Sequence, residues 1–110
     1  MNFNDYQKQA KTTLTVNKDL TTQIIYLALG LVGESGEIAE KIKKIIRNED
    51  GDFEKLDRED IKRELGDVLW YLAMLADTLE LKFDDVAAAN LSKLADRKQR
   101  GVVNSTGDYR

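Results

Sequence analysis

The sequence predicts an all-α protein, a four-helix-bundle-like fold whose amphipathic helices are joined by short polar connections. Three observations carry that expectation. Proline is absent from all 110 residues. Apolar residues recur at helical spacing through most of the chain. Turn-forming residues gather in brief clusters between those stretches.

The first helix is expected over residues 4–13, with Phe3, Tyr6 and Ala10 toward the core, followed by a polar loop at 15–18. Asp19 or Thr21 can cap a long second helix that runs to Asn48. Its apolar stripe is Ile24, Leu27, Leu31, Ile38, Ile42 and Ile45. The run Lys41, Lys43, Lys44 and Arg47 near its end suits the negative pole of the helix dipole. After the acidic turn NEDGDFEK, Asp57 can cap a third helix, with Asp60 completing a weak capping box. The stripe there is Ile61, Leu65, Val68, Leu72, Leu75 and Leu79. Asp84 or Asp85 caps a fourth helix through Lys98, ended by Gly101, and residues 102–110 read as an irregular tail.

Length and composition narrow the function. A chain of 110 residues makes one domain, here 1–110, with a single core. A net charge of −3 argues against binding polymeric nucleic acid, which usually needs a basic face. The longest apolar run, 24–32, is too short to span a bilayer and contains Gly30, so no membrane role and a cytoplasmic location are expected. There is no cysteine and no histidine. Disulfides, thiolate zinc sites and His-dependent nucleophiles are thereby excluded. Any chemistry must run on carboxylates, Lys, Arg, Tyr, hydroxyls and a bound ion.

Two short motifs supply carboxylates in a pattern. The second helix carries Glu34-Ser35-Gly36-Glu37 and the third carries Glu64-Leu65-Gly66-Asp67. A spacing of three puts each pair about one turn apart on one face. Glu34 and Glu64 fall beside the core stripes, and Glu37 and Asp67 lie further out on the same flank. One such pair is common on a solvated helix. Two pairs, each around a glycine and each edging a core stripe, imply four carboxylates converging between facing helices. Like charges ~4 Å apart repel by about 4 kcal/mol at an effective dielectric of about 20, so a counter-ion is required. Oxygen ligands without His or Cys select Mg²⁺, with Mn²⁺ as a substitute. Gly30, Gly33, Gly36 and Gly66 fall inside helices, at ~1 kcal/mol each relative to alanine. That suggests space is wanted near the carboxylates.

These motifs resemble those of the MazG-like all-α nucleoside triphosphate pyrophosphohydrolases, a group defined by E-x-x-E followed by E-x-x-D. Glu34, Glu37, Glu64 and Asp67 match within LVGESGEIAEKIKK and IKRELGDVLWYLAML. In the fourth helix Asn90, Lys93, Arg97 and Gly101 match the family's N-x-x-K-x-x-x-R pattern. The ending TGDYR is similar to a G-D-N-R ending of one branch, with Tyr109 in place of Asn. The resemblance spans 20–101 and the tail. It implies hydrolysis at the α-phosphorus of a nucleoside triphosphate, giving the monophosphate and pyrophosphate, in a homodimer or homotetramer. It further implies Mg²⁺ held by the four carboxylates, with Glu34 or Glu37 as general base. Tyr71, Asn90, Lys93 and Arg97 would contact substrate. Phe3, Tyr6 and Gln7 are candidates for a base pocket or for helix packing, and Trp70 reads as a core or interface residue. Alternatives are a phosphoribosyl-ATP or dUTP-type pyrophosphatase of the same fold, and a non-catalytic helical oligomerisation module. A di-iron oxidoreductase is disfavoured because it needs Glu-x-x-His.

Overall fold

Why each helix starts and stops is visible in a computed structural model that describes residues 1–102 and 107. Most of the TGDYR ending therefore lies outside the described residues. Helix α1 (Phe3–Lys11) begins with a capping box in which Asn2 accepts from the Asp5 N–H and Asp5 accepts from the Asn2 N–H. Helix α2 (Leu20–Asn48) is capped by Asp19, which accepts from both the N–H and the hydroxyl of Thr22. Those bonds hold the Asp19 carboxyl below its ordinary range. At the far end Asp50 and Gly51 take φ of 52° and 75°. The Gly51 N–H then reaches back to the Ile45 carbonyl and closes the helix. A single 3₁₀ turn, Phe53–Lys55, sits in the acidic connection. Helix α3 (Arg58–Thr78) is capped by Asp57 as expected. The Asp60 side chain does not complete a capping box; it turns to Lys41 and Arg63 instead.

Helix α4 (Phe83–Arg100) has no side-chain cap of its own, and Asp84 and Asp85 lie inside its first turn. Its N-terminal amides are capped from α1. The Asp84 N–H donates to Asn4 Oδ1 at 2.9 Å, and the Asn4 N–H donates back to Asp84 Oδ1 at 3.3 Å. The Phe83 N–H donates to Gln7 Oε1 at 3.1 Å, while Gln7 Nε2 donates to the carbonyls of Ala73 and Leu81. Buried Gln7 thus ties α1, α3 and the α3–α4 turn together. It is a packing residue, so the base-pocket option for Gln7 is withdrawn. Phe3 packs against Phe83 in a tilted arrangement at 5.0 Å between ring centroids, although it stays half-exposed rather than entering the core.

Helix α3 is the hub: α2, α1 and α4 each pack on it, and α1 also packs on α4. Leu27, Ala73 and Met74 form the dry centre with Ala10, Ala76 and Phe83, flanked by Tyr6, Leu14, Leu69, Trp70, Tyr71 and Leu75. No strand occurs among the described residues. The stripe expected on α2 faces inward, with Leu27 and Ile45 buried and the rest half-buried. On α3 the expectation holds at half-buried Ile61, Val68 and Leu75 and needs correction at the other three positions. Leu65, Leu72 and Leu79 are exposed, and the buried positions are Ala73, Met74 and Ala76. The cause is geometric: α3 is covered from two directions, which rotates its buried arc away from a single-stripe reading.

The glycines divide as well. A Cβ on Gly30 would lie 2.1 Å from the Tyr71 ring, so this glycine is what lets the ring lie against α2. Around Gly33, Gly36 and Gly66 nothing comes within 4 Å of such a Cβ, so the demand for space holds at Gly30 alone within one chain.

Two stability measurements follow. In denaturant titrations Gly30→Ala loses about 1–3 kcal/mol by overpacking, whereas Gly33→Ala gains up to ~1 kcal/mol from helix propensity. Gln7→Ala leaves the Phe83 N–H and two carbonyls without their partner and loses at least about 2 kcal/mol, while exposed Gln9→Ala stays within ~0.5 kcal/mol.

Candidate active site

Packing of α2 on α3 brings Glu34, Glu64 and Asp67 together. Each offers one carboxylate oxygen, and the three oxygens lie within 4.8 Å of one another. Glu34 and Glu64 are half-buried and Asp67 is exposed, in keeping with their positions on the two helical wheels. Glu37 is exposed, one turn beyond Glu34, and is not part of the trio. The arrangement is three carboxylates plus one rather than four equivalent ligands. Burial first, and then the charges of Asp67, Glu64 and Glu37, push the Glu34 carboxyl above its ordinary range.

Beside the trio is a cleft of about 370 Å³ lined by Thr13, Glu34, Asp67, Trp70 and Tyr71. Its aromatic wall is fixed from both sides. The Trp70 indole N–H donates to Thr13 Oγ1 at 2.8 Å, and the Trp70 and Tyr71 rings meet edge-to-face at 4.9 Å. Burial, then Tyr26 and the carboxylates Glu34 and Asp67, raise the Tyr71 hydroxyl above its ordinary range. Burial and Asp67 do the same to Tyr6. Both phenols therefore stay protonated at neutral pH and can donate hydrogen bonds beside the acidic cluster.

The basic candidates on α4 are elsewhere in the single chain. Asn90 and Lys93 line a separate, mainly apolar cleft of about 580 Å³ with Leu81, Asp85, Val86 and Ala89. Arg97 is buried, 4% exposed, and donates to the Gly107 carbonyl at 3.4 Å. Neither residue set lines the carboxylate cleft, because α4 packs mainly on α1 and α3.

Sequence reasoning missed Lys41, Thr13 and Tyr26. In the sequence Lys41 is explained by the helix dipole alone, yet its ammonium contacts Asp60 and lies 3.3 Å from Glu64 Oε1. A spacing of seven from Glu34 on α2 was the signal available, since it repeats the α3-facing position two turns on. Thr13 follows α1 and carried no local signal. Tyr26 falls one turn before Gly30, and only the packing of Tyr71 reveals its neighbourhood.

A divalent cation fits this donor set. The three oxygens are hard ligands on two helices, Glu34 already shows the strain of adjacent negative charge, and the chain has no softer ligand to compete. Among the described residues no helix is long and apolar enough to cross a membrane.

Comparison with known proteins agrees with the site. The family model of the MazG nucleotide pyrophosphohydrolase domain matches residues 23–102, which contain all four motif carboxylates. The chain is similar to the Gene 37 protein of Mycobacterium phage L5, 51% identical over 85 residues that cover 77% of this chain and 75% of that protein. No solved structure matches it. With a domain match across most of its length and three of the four E-x-x-E and E-x-x-D carboxylates meeting in space, the chain belongs to the MazG nucleotide pyrophosphohydrolase family.

Proposed function

We propose that the protein hydrolyses a nucleoside triphosphate, ribo or deoxy, at the α-phosphorus, releasing the monophosphate and pyrophosphate with Mg²⁺ as cofactor. One observation carries the reading: Glu34, Glu64 and Asp67 converge at the edge of an aromatic-walled cleft. These three would hold Mg²⁺, or Mn²⁺ in its place, with Glu37 adjacent. The chemistry such an ion supplies is neutralisation of the triphosphate and orientation of a water for in-line attack. The side chains do the remaining work. Glu34 or Glu37 takes the proton of the attacking water. Tyr71 donates to a sugar or phosphate oxygen, and the Trp70–Tyr71 wall excludes solvent from one side of the cleft.

We infer further that the active form is a homodimer or a dimer of dimers. The Cα radius of gyration is 16.9 Å, against about 13 Å for a compact chain of this length. Exposed apolar side chains follow helical spacing on both long helices: Ile25, Leu29, Val32 and Ile46 on α2, and Leu65, Leu72 and Leu79 on α3. On α2 they fall on the side turned away from α3. A surface of that pattern fits a second copy of the same hairpin. Association also offers the exposed Asn90 and Lys93 a role, since α4 of one chain can serve a substrate at the carboxylates of the other, whereas Arg97 is buried within its own chain.

Four outcomes test this. With Mg²⁺, at least one (deoxy)nucleoside triphosphate should yield pyrophosphate and not orthophosphate; release of the γ-phosphate removes the assignment. Asp67→Ala and Glu37→Ala should lower turnover by about 10²–10⁴-fold with unchanged helical circular dichroism. Val32→Glu should shift the sedimentation coefficient toward the monomer and reduce turnover. If Lys93→Ala and Asp67→Ala variants regain activity on mixing, the site spans two chains; no recovery confines it to one.

A further inference from the structure

The Lys41 ammonium bridges Asp60 and Glu64, and Asp60 is held in turn by Arg63 at 3.3 Å. Other ion pairs of the chain, such as Lys43–Glu40, Lys62–Glu59 and Arg100–Asp96, join residues one turn apart on a single exposed helix. The Lys41 pair differs from these in three respects, the first of which it shares with Lys11–Asp77. It crosses from α2 to α3, and one of its acids belongs to the carboxylate trio. It is also shielded, with side-chain exposures of 27% for Lys41 and 16% for Glu64, so solvent screens it less than the surface pairs.

We propose that Lys41 is a positioning residue of the site: its ammonium is the resident counter-ion of Glu64, which keeps the trio assembled before a divalent ion arrives and moderates how tightly that ion is held. The inference rests on the reading of the trio as a divalent-cation site. With all three acids ionised, the trio carries three negative charges between two helices. One fixed positive charge in contact with Glu64 offsets part of their mutual repulsion and draws α2 toward α3. The same charge repels an incoming divalent cation. Lys41 therefore trades metal affinity for a preformed site and an exchangeable ion, which suits a metal that must enter and leave with a nucleotide.

The two effects have opposite signs in a neutral variant, and this separates positioning from simple structural support. Mn²⁺ binding without nucleotide is measured by electron paramagnetic resonance for the native protein, Lys41→Met and Lys41→Arg. Lys41→Gln is run in parallel so that poor folding of the Met variant does not decide the result. The neutral variants should bind Mn²⁺ about fivefold more tightly, melt at a lower temperature when metal-free, and turn over about tenfold more slowly at saturating metal. Lys41→Arg should stay within about twofold of the native protein in all three. Neutral variants that bind Mn²⁺ equally or more weakly, while the native protein binds it, overturn the role of Lys41 and leave the metal site standing. A native protein that binds no Mn²⁺ overturns both.

Discussion

Three carboxylates with oxygens within 4.8 Å of one another repel, and the α2–α3 contact holds them together regardless. At that distance an ionised pair costs about 3–4 kcal/mol at an effective dielectric of about 20. The rest of the fold serves to hold that contact. Leu27 and Ile45 are buried along the inner face of α2, on either side of Glu34 in sequence, and Gly30 lets the Tyr71 ring approach the helix. The raised proton affinity of Glu34 marks the cost that burial and these neighbours impose on a carboxylate. A site under this kind of electrostatic load is poised for a cation.

Helix α3 can carry the load because it is braced from the other side. Gln7 reaches the end of α3 and the start of α4, and Asn4 and Asp84 cap each other across 80 residues of sequence. The same packing sets Tyr6 near Asp67 and fixes Trp70 through Thr13. Thr13, just past α1, thus contributes to the cleft wall while α1 itself acts as a clamp. Among the described residues the outer face of α2 has no such bracing and leaves Leu29 and Val32 exposed, the surface that the proposed dimer covers.

Much of this was legible in the sequence, and the parts that were not share a cause. Helix number, the caps at Asp19 and Asp57, the inner stripe of α2 and the acidic motifs are local, periodic features, and each is found in the structure. Glu34 and Glu64 could be placed at the core margin because one turn of helix fixes their phase. What escaped are features made by partners distant in sequence. The cap of α4 comes from α1, so Asp84 and Asp85 looked like caps and are not. Leu65, Leu72 and Leu79 looked like core because periodicity gives the apolar side of a helix and not whether a neighbour covers it. Asn90, Lys93 and Arg97 matched a pattern, but one chain holds them apart from the carboxylates. Lys41 was hidden because a lysine near a helix C-terminus already has an ordinary explanation.

On the function proposed, Glu34, Glu64 and Asp67 form one divalent-cation site at the α2–α3 contact. Anomalous diffraction from crystals soaked in Mn²⁺ addresses it directly. The account expects a peak bonded to oxygens of all three residues, with Glu37 nearby. A peak bonded elsewhere, or carboxylates splayed into solvent with no ion between them, would contradict it.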